Sequence, residues 1–208
     1  MIKEACVENI REAIAAEKAG ASRLELCENL QVGGTTPSYG TIKYCKQQLR
    51  IPFFSMIRPR GGNFVYSDLE FTIMKEDIQV CKLLGADGVV FGILKSDNTI
   101  DIERTRELVE LAKPMQVTFH KAFDLVSNPV AEMERLIQIG VDRILTSGTK
   151  DTALQGQNIL NELIIKANGR IQIVVAGNVT AENLGEVKRL IPSLEYHGRR
   201  IVMDPKKV

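Results

Sequence analysis

"DIERTRELVELAKPMQVTFH", residues 101–120, holds the unit from which the fold is built. Residues 101–113 are amphipathic with the period of an α-helix. Residues 115–120, "MQVTFH", alternate as a strand does: Val117 and Phe119 face one way, and Gln116, Thr118 and His120 the other.

The unit recurs. Short apolar, often β-branched runs begin near Ile2, Ser22, Pro52, Asp87, Met115, Arg143, Ile171 and Leu194. Amphipathic stretches such as "NIREAIAAEKAG" and "PVAEMERLIQIG" lie between them, and Gly20, Gly85, Gly140 and Gly169 stop helices ahead of strands. Eight strand–helix steps predict parallel βαβ units. Eight units close most naturally into a (β/α)8 TIM-type barrel, an α/β fold for which about 200 residues is the lower end of the size range. An open doubly wound sheet is the competing arrangement, and the evenness of the repeat favours the barrel. Residues 1–208 read as one domain with the eighth helix absent or vestigial, because only "GRRIVMDPKKV" follows the eighth strand.

Bulk properties narrow the function classes. A formal net charge of +1 gives no electrostatic footprint for nucleic acid or a membrane surface. No apolar run approaches the roughly 18–20 residues of a membrane span. The N-terminal "MIKEACVENI" lacks an apolar signal region, so a cytosolic location is expected. Cys6, Cys27, Cys45 and Cys81 include no C-x-x-C and are expected as free thiols.

Alternation also splits the other strands. Glu4 falls with Cys6; Arg23 and Glu25 fall with Cys27; Glu195 falls with His197. The apolar faces should meet the helices, so these polar faces should look into the barrel, where unpaired polar groups are costly. Arg23, Arg143 and Glu195, early in their strands, are expected to form a structural ion-pair plug, since the bottom of such barrels serves stability. Cys6, Cys27, Arg58, His120, Ser147 and His197 end strands at the mouth, where active sites lie, and Gly177 sits on the seventh loop.

Several of these carry a functional and a plain alternative. Arg58 and Arg60, in "FFSMIRPRGGNFVY" (53–66), suit an anion clamp through their planar forks, or else are solvated charges on a turn. His120 could be acid, base or ligand, or a satisfied core histidine. Asp124 could serve acid–base chemistry with Glu25 and His120, or cap the following helix. Cys45 and Cys81 lie in helical stretches and read as core fillers. Cys6 and Cys27 end adjacent strands about 4.8 Å apart, so they could grip a soft ion such as copper(I), or coincide as two apolar thiols.

"RLELCENLQVGGTTPSYG", "MIRPRGGNFVYSD", "VTFHKAFD" and "RILTSG" together resemble the CutC family of copper homeostasis proteins. The resemblance runs from about residue 2 to residue 201. It implies a TIM-type barrel, a cytosolic location, a homo-oligomer that is often a dimer, and Cys6 and Cys27 as copper(I) ligands. One departure is the Ala176-Gly177-Asn178 segment, where the family often has a run of glycines; Asn tolerates a left-handed backbone, so the turn can survive. Two functions follow: copper(I) binding or handling, and an enzyme acting on a small phosphate or carboxylate, with Arg58, Arg60 and Gly177 holding the anion.

Overall fold

Every apolar run becomes a strand within one residue of its expected start. The strands are β1 (Ile2–Val7), β2 (Arg23–Leu26), β3 (Phe53–Met56), β4 (Gly88–Phe91), β5 (Gln116–Phe119), β6 (Arg143–Thr146), β7 (Gln172–Val175) and β8 (Glu195–Gly198). Each pairs in parallel with the next, and β8 pairs with β1, closing an eight-stranded barrel. This is a computed structural model, and it describes residues 1–202.

Among the described residues, seven α-helices surround the strands: α1 (Ile10–Lys18), α2 (Tyr39–Gln48), α3 (Asp68–Leu84), α4 (Ile102–Ala112), α5 (Pro129–Gln138), α6 (Gln157–Ala167) and α7 (Leu184–Leu190). Their ends follow local rules. Ser67 and Glu70 form a reciprocal capping box at the start of α3, and Gly85 closes it with φ 78°. Asn128 accepts from the Ala131 N–H ahead of Pro129 to start α5. No helix follows β8 among the described residues, and residues 203–208 lie outside them. No described helix is long and apolar enough to cross a membrane.

The outward strand faces, Leu24, Leu26, Val117, Phe119 and Tyr196 among them, pack with the helices into one apolar layer. The inward faces differ in kind. At the floor, Arg23 bonds both Glu4 and Glu195, and Arg143 Nε lies 3.2 Å from Glu195 Oε2. Arg143 also donates to Gln116 Oε1 at 2.8 Å. The plug expected from Arg23, Arg143 and Glu195 therefore exists, with Glu4 as a fourth ionic member. Phe54 fills the remaining floor space: both guanidinium carbons lie over its ring, at 4.8 Å for Arg23 and 5.0 Å for Arg143. Gly88 makes room for that ring, because a Cβ there would sit 2.7 Å from Phe54 Cγ.

Charges taken out of water are held only by their partners, so removing one side of such a network is far worse than removing a surface pair. Arg23→Leu should cost about 3–5 kcal/mol in urea unfolding at pH 7, by leaving Glu4 and Glu195 buried without their shared cation. Lys75→Ala, which breaks the exposed 3.0 Å pair with Glu107, should cost less than about 1 kcal/mol. Comparable losses at the two sites would show that the floor network is not a keystone.

Candidate functional site

Parallel pairing places Cys6 of β1 directly beside Glu25 of β2, and Cys27 follows one residue past the end of β2. One side-chain ligand atom from each of the three lies within 4.8 Å of the others. All three are buried. From the other side of β1, His197 of β8 points its Nδ1 at Glu4 Oε1, 2.8 Å away, and its Nε2 lies 3.7 Å from Glu25 Oε2. An unbroken polar path therefore runs from the floor to the mouth: Glu195, Arg23, Glu4, His197, Glu25, then the two thiols.

Protons distribute unevenly over this path. Burial alone would push Glu4 up, but the His197 hydrogen bond and the Arg23 charge outweigh it and hold Glu4 at about 2. His197 is likewise opposed by burial, yet the charges and bonds of Glu25, Cys6 and Glu4 hold it well above the ordinary histidine value. Cys6 is pulled down to about 5, first by hydrogen bonding from Cys27, with burial opposing and His197 helping. Cys27 is pushed well up by that same bond to Cys6 and then by burial. Burial also raises Glu25 well above the carboxylate range, and the Cys6 charge adds to it. The cluster thus leans toward a thiolate on Cys6 and a cation on His197, while Glu25 and Cys27 hold their protons more tightly than usual. Cys45 and Cys81 are plain by comparison: buried in α2 and α3, with thiols pushed up to about 11 chiefly by burial.

His120 stands across the mouth in the opposite condition. Its Nδ1 accepts from the Ala122 N–H at 3.2 Å, which places the proton of the neutral ring on Nε2. Burial, then the Arg58 charge, pulls its pKa down to about 3. Phe64 packs on the ring with centroids 4.8 Å apart. Gly92 leaves the seat open, since a Cβ there would meet His120 Nδ1 at 2.5 Å. Between His120 and the thiol cluster lies a cavity of about 170 Å³, walled by Leu30, Met56, Phe64 and Leu145 as well as Cys6, Glu25 and His197. It adjoins an outer cleft of about 320 Å³ lined by Lys121, Gly177, Asn178 and Arg200 among others.

The two arginines are occupied elsewhere. Arg58 is 3% exposed and donates to the carbonyls of Val32, Gly34 and Gly62, so it knots together the loops after β2 and β3. Arg60 is paired with Glu70 and bonds the carbonyls of Asn63 and Val65. Neither offers a free fork, and the geometry makes them loop staples instead of an anion clamp. Asp124 is spent too: it accepts from the Thr146 and Ser147 hydroxyls and from the Ser147 and Thr149 N–H groups, pinning the loop after β6. The cap on the following helix is Asn128, so neither expectation for Asp124 describes it. Gly177 does line the outer cleft, with φ 97°, and Asn178 takes the left-handed conformation at φ 54°. Glu4, the bridging role of His197, and Lys121 and Arg200 at the cleft were missed. Glu4 and His197 were visible as inward residues, but nothing local pairs positions so far apart in the chain.

Because His120 is held neutral below its unfolded pKa near 6.5, the folded chain binds fewer protons there than the unfolded one. Its contribution is complete above pH 6.5 and is lost as pH falls toward about 3. Glu25, shifted upward, titrates with the opposite sign in part of this window, so the useful quantity is a difference. The stability gap between the wild-type chain and His120→Asn should shrink by up to about 1.4 kcal/mol per pH unit between pH 6 and 4. Urea unfolding at several pH values checks this, and a flat gap would contradict it.

Residues 1–202 match the model of the CutC family. The chain is 47% identical over 196 residues to a mouse copper homeostasis protein cutC homolog, covering 94% of this chain and 72% of that one. It superposes on the crystal structure of Streptococcus agalactiae CutC with a TM-score of 0.92 at 42% identity, covering 97% and 99% of the two chains. An aldolase, QR15, superposes at 0.67 with 13% identity over 98% of this chain and 91% of its own, a likeness of barrel fold alone. With a family match over nearly its whole length and relatives this similar, the chain belongs to the CutC family of copper homeostasis proteins.

Proposed function

We propose that this chain binds and handles copper(I) at Cys6 and Cys27, with Glu25 closing the third side of the site. The observation that supports it is the convergence of two sulfurs and a carboxylate oxygen within 4.8 Å at the barrel mouth. The donor set suits the ion: copper(I) prefers soft sulfur, whereas zinc sites usually want four ligands. Cys6 would enter as a thiolate, and Cys27 would give up its proton on binding, since metals compete with protons for sulfur. The floor network would hold the ligands in place through Glu4 and His197. The proposal extends to a cytosolic homo-oligomer, for which Leu69 and Ile73, exposed one turn apart on α3, offer an apolar strip.

Titration of the reduced chain with copper(I) against a competing chelator should give about one ion per chain. Cys6→Ser and Cys27→Ser should each remove most of the affinity, while Cys45→Ser and Cys81→Ser leave it nearly unchanged. Equal losses at all four positions would mean nonspecific thiol binding and would sink the reading.

A further inference from the structure

Two thiols and a carboxyl account for one wall of the mouth and leave the opposite wall unexplained. There, His120 is 4% exposed, and its Nε2 is fully buried with no protein partner. The Nδ1–Cε1 edge of the ring faces Gly92, Nδ1 takes the Ala122 N–H, and the residue lines the inner cavity. A buried N–H donor without an acceptor forfeits its hydrogen bond. The structure holds it there with care: Phe64 supports the ring face, Gly92 vacates space behind it, and Nδ1 fixes the tautomer.

The space before this donor has a definite character. The inner cavity of about 170 Å³ is walled by Leu30, Met56, Phe64 and Leu145, and Glu25 Oε1 is a second buried polar atom without a protein partner. The outer cleft of about 320 Å³ shares Cys6, Leu30, Lys121 and His197 with it, so one molecule can occupy both. Charge in the outer cleft is mainly positive: Lys121, Arg199 and Arg200 stand against Asp151. Arg199 is engaged by Glu8 and Glu12, and Lys121 lies 3.5 Å from Asp124. Arg200 lines the cleft and is exposed. Behind the Phe64 wall, the Arg58 guanidinium is buried on carbonyls and the ring, also without a carboxylate. Ligand sites commonly combine such an apolar cavity with a few convergent polar groups.

We propose that the barrel mouth is also a binding site for a small organic anion, a carboxylate or phosphate ester with an apolar body. The body lies against Met56, Phe64 and Leu145, an oxygen accepts from His120 Nε2–H, and the anionic end lies in the outer cleft near Lys121 and Arg200. His120 is then a ligand-binding residue, and its role does not depend on copper, although Cys6 and Glu25 form the shared wall.

The test uses the full-length, reduced, copper-free chain and three probes: 4-methyl-2-oxopentanoate, phenyl phosphate, and the uncharged ketone 4-methyl-2-pentanone. Calorimetry gives the affinity, and nitrogen-15 spectra of the histidine rings report the site. At least one anion should saturate with Kd below about 10 mM and move the His120 Nε2 signal, with the ketone about tenfold weaker or worse. His120→Asn keeps an acceptor for the Ala122 N–H while removing the donor at the Nε2 position, and should weaken the anion about tenfold. Arg200→Ala should weaken it about three- to tenfold and flatten its salt dependence. Both variants should retain wild-type copper(I) binding, so failure here and failure of the copper proposal are separate results. No saturation by either anion up to about 10 mM, or saturation that both variants leave unchanged, overturns the proposal.

Discussion

Arg23 is the interaction on which the rest of the interior depends. It rises from β2 between Glu4 of β1 and Glu195 of β8, so one guanidinium ties three consecutive strands across the seam where the barrel closes. Two carboxylates that would otherwise be buried against each other become partners of a single planar donor. Glu4, once held ionised, has an oxygen left for His197 Nδ1, and His197 then stands beside Glu25. The geometry of the thiol cluster is therefore set from the floor upward. Helix packing alone would close the barrel without orienting these groups.

The mouth consequently has two unlike halves. On one side, carboxylates and a thiolate surround His197 and favour its cationic form. On the other, burial and the Arg58 charge keep His120 neutral. One residue type is thus pushed toward its cationic form on one wall and toward its neutral form on the opposite wall of the same opening. The first suits a cluster that must keep a sulfur ionised; the second suits an acceptor oxygen on a molecule with an apolar body.

Much of this was legible in the chain. Strand positions were, because helix period and strand period alternate without interruption. The inward polar faces were too, because alternation puts Glu25 with Cys27 and Glu4 with Cys6. What failed was partner choice. Arg58 looked available because its acceptors are main-chain carbonyls of glycine-bearing loops, which have no side-chain signature. Asp124 looked like acid–base machinery because its partners lie beyond α5, at Thr146 to Thr149. Glu4 and His197 meet only because β8 closes on β1. Period reveals which face a residue occupies, while contact order hides whom it meets.

The floor leaves a constraint on how this interior can change through substitution. Phe54 and Gly88 compete for one volume, since a Cβ at position 88 would sit 2.7 Å from the ring at position 54 and 2.8 Å from the Gln116 carbonyl oxygen. A larger residue on β4 would need both a smaller one on β3 and a shift of the β5 backbone at Gln116, and a smaller one on β3 removes the aromatic face that both Arg23 and Arg143 cover. Positions 23, 54, 88 and 143 should therefore vary as a set across related chains. The bareness of one glycine is the mark, on an otherwise apolar strand, of charge chemistry conducted by its neighbours.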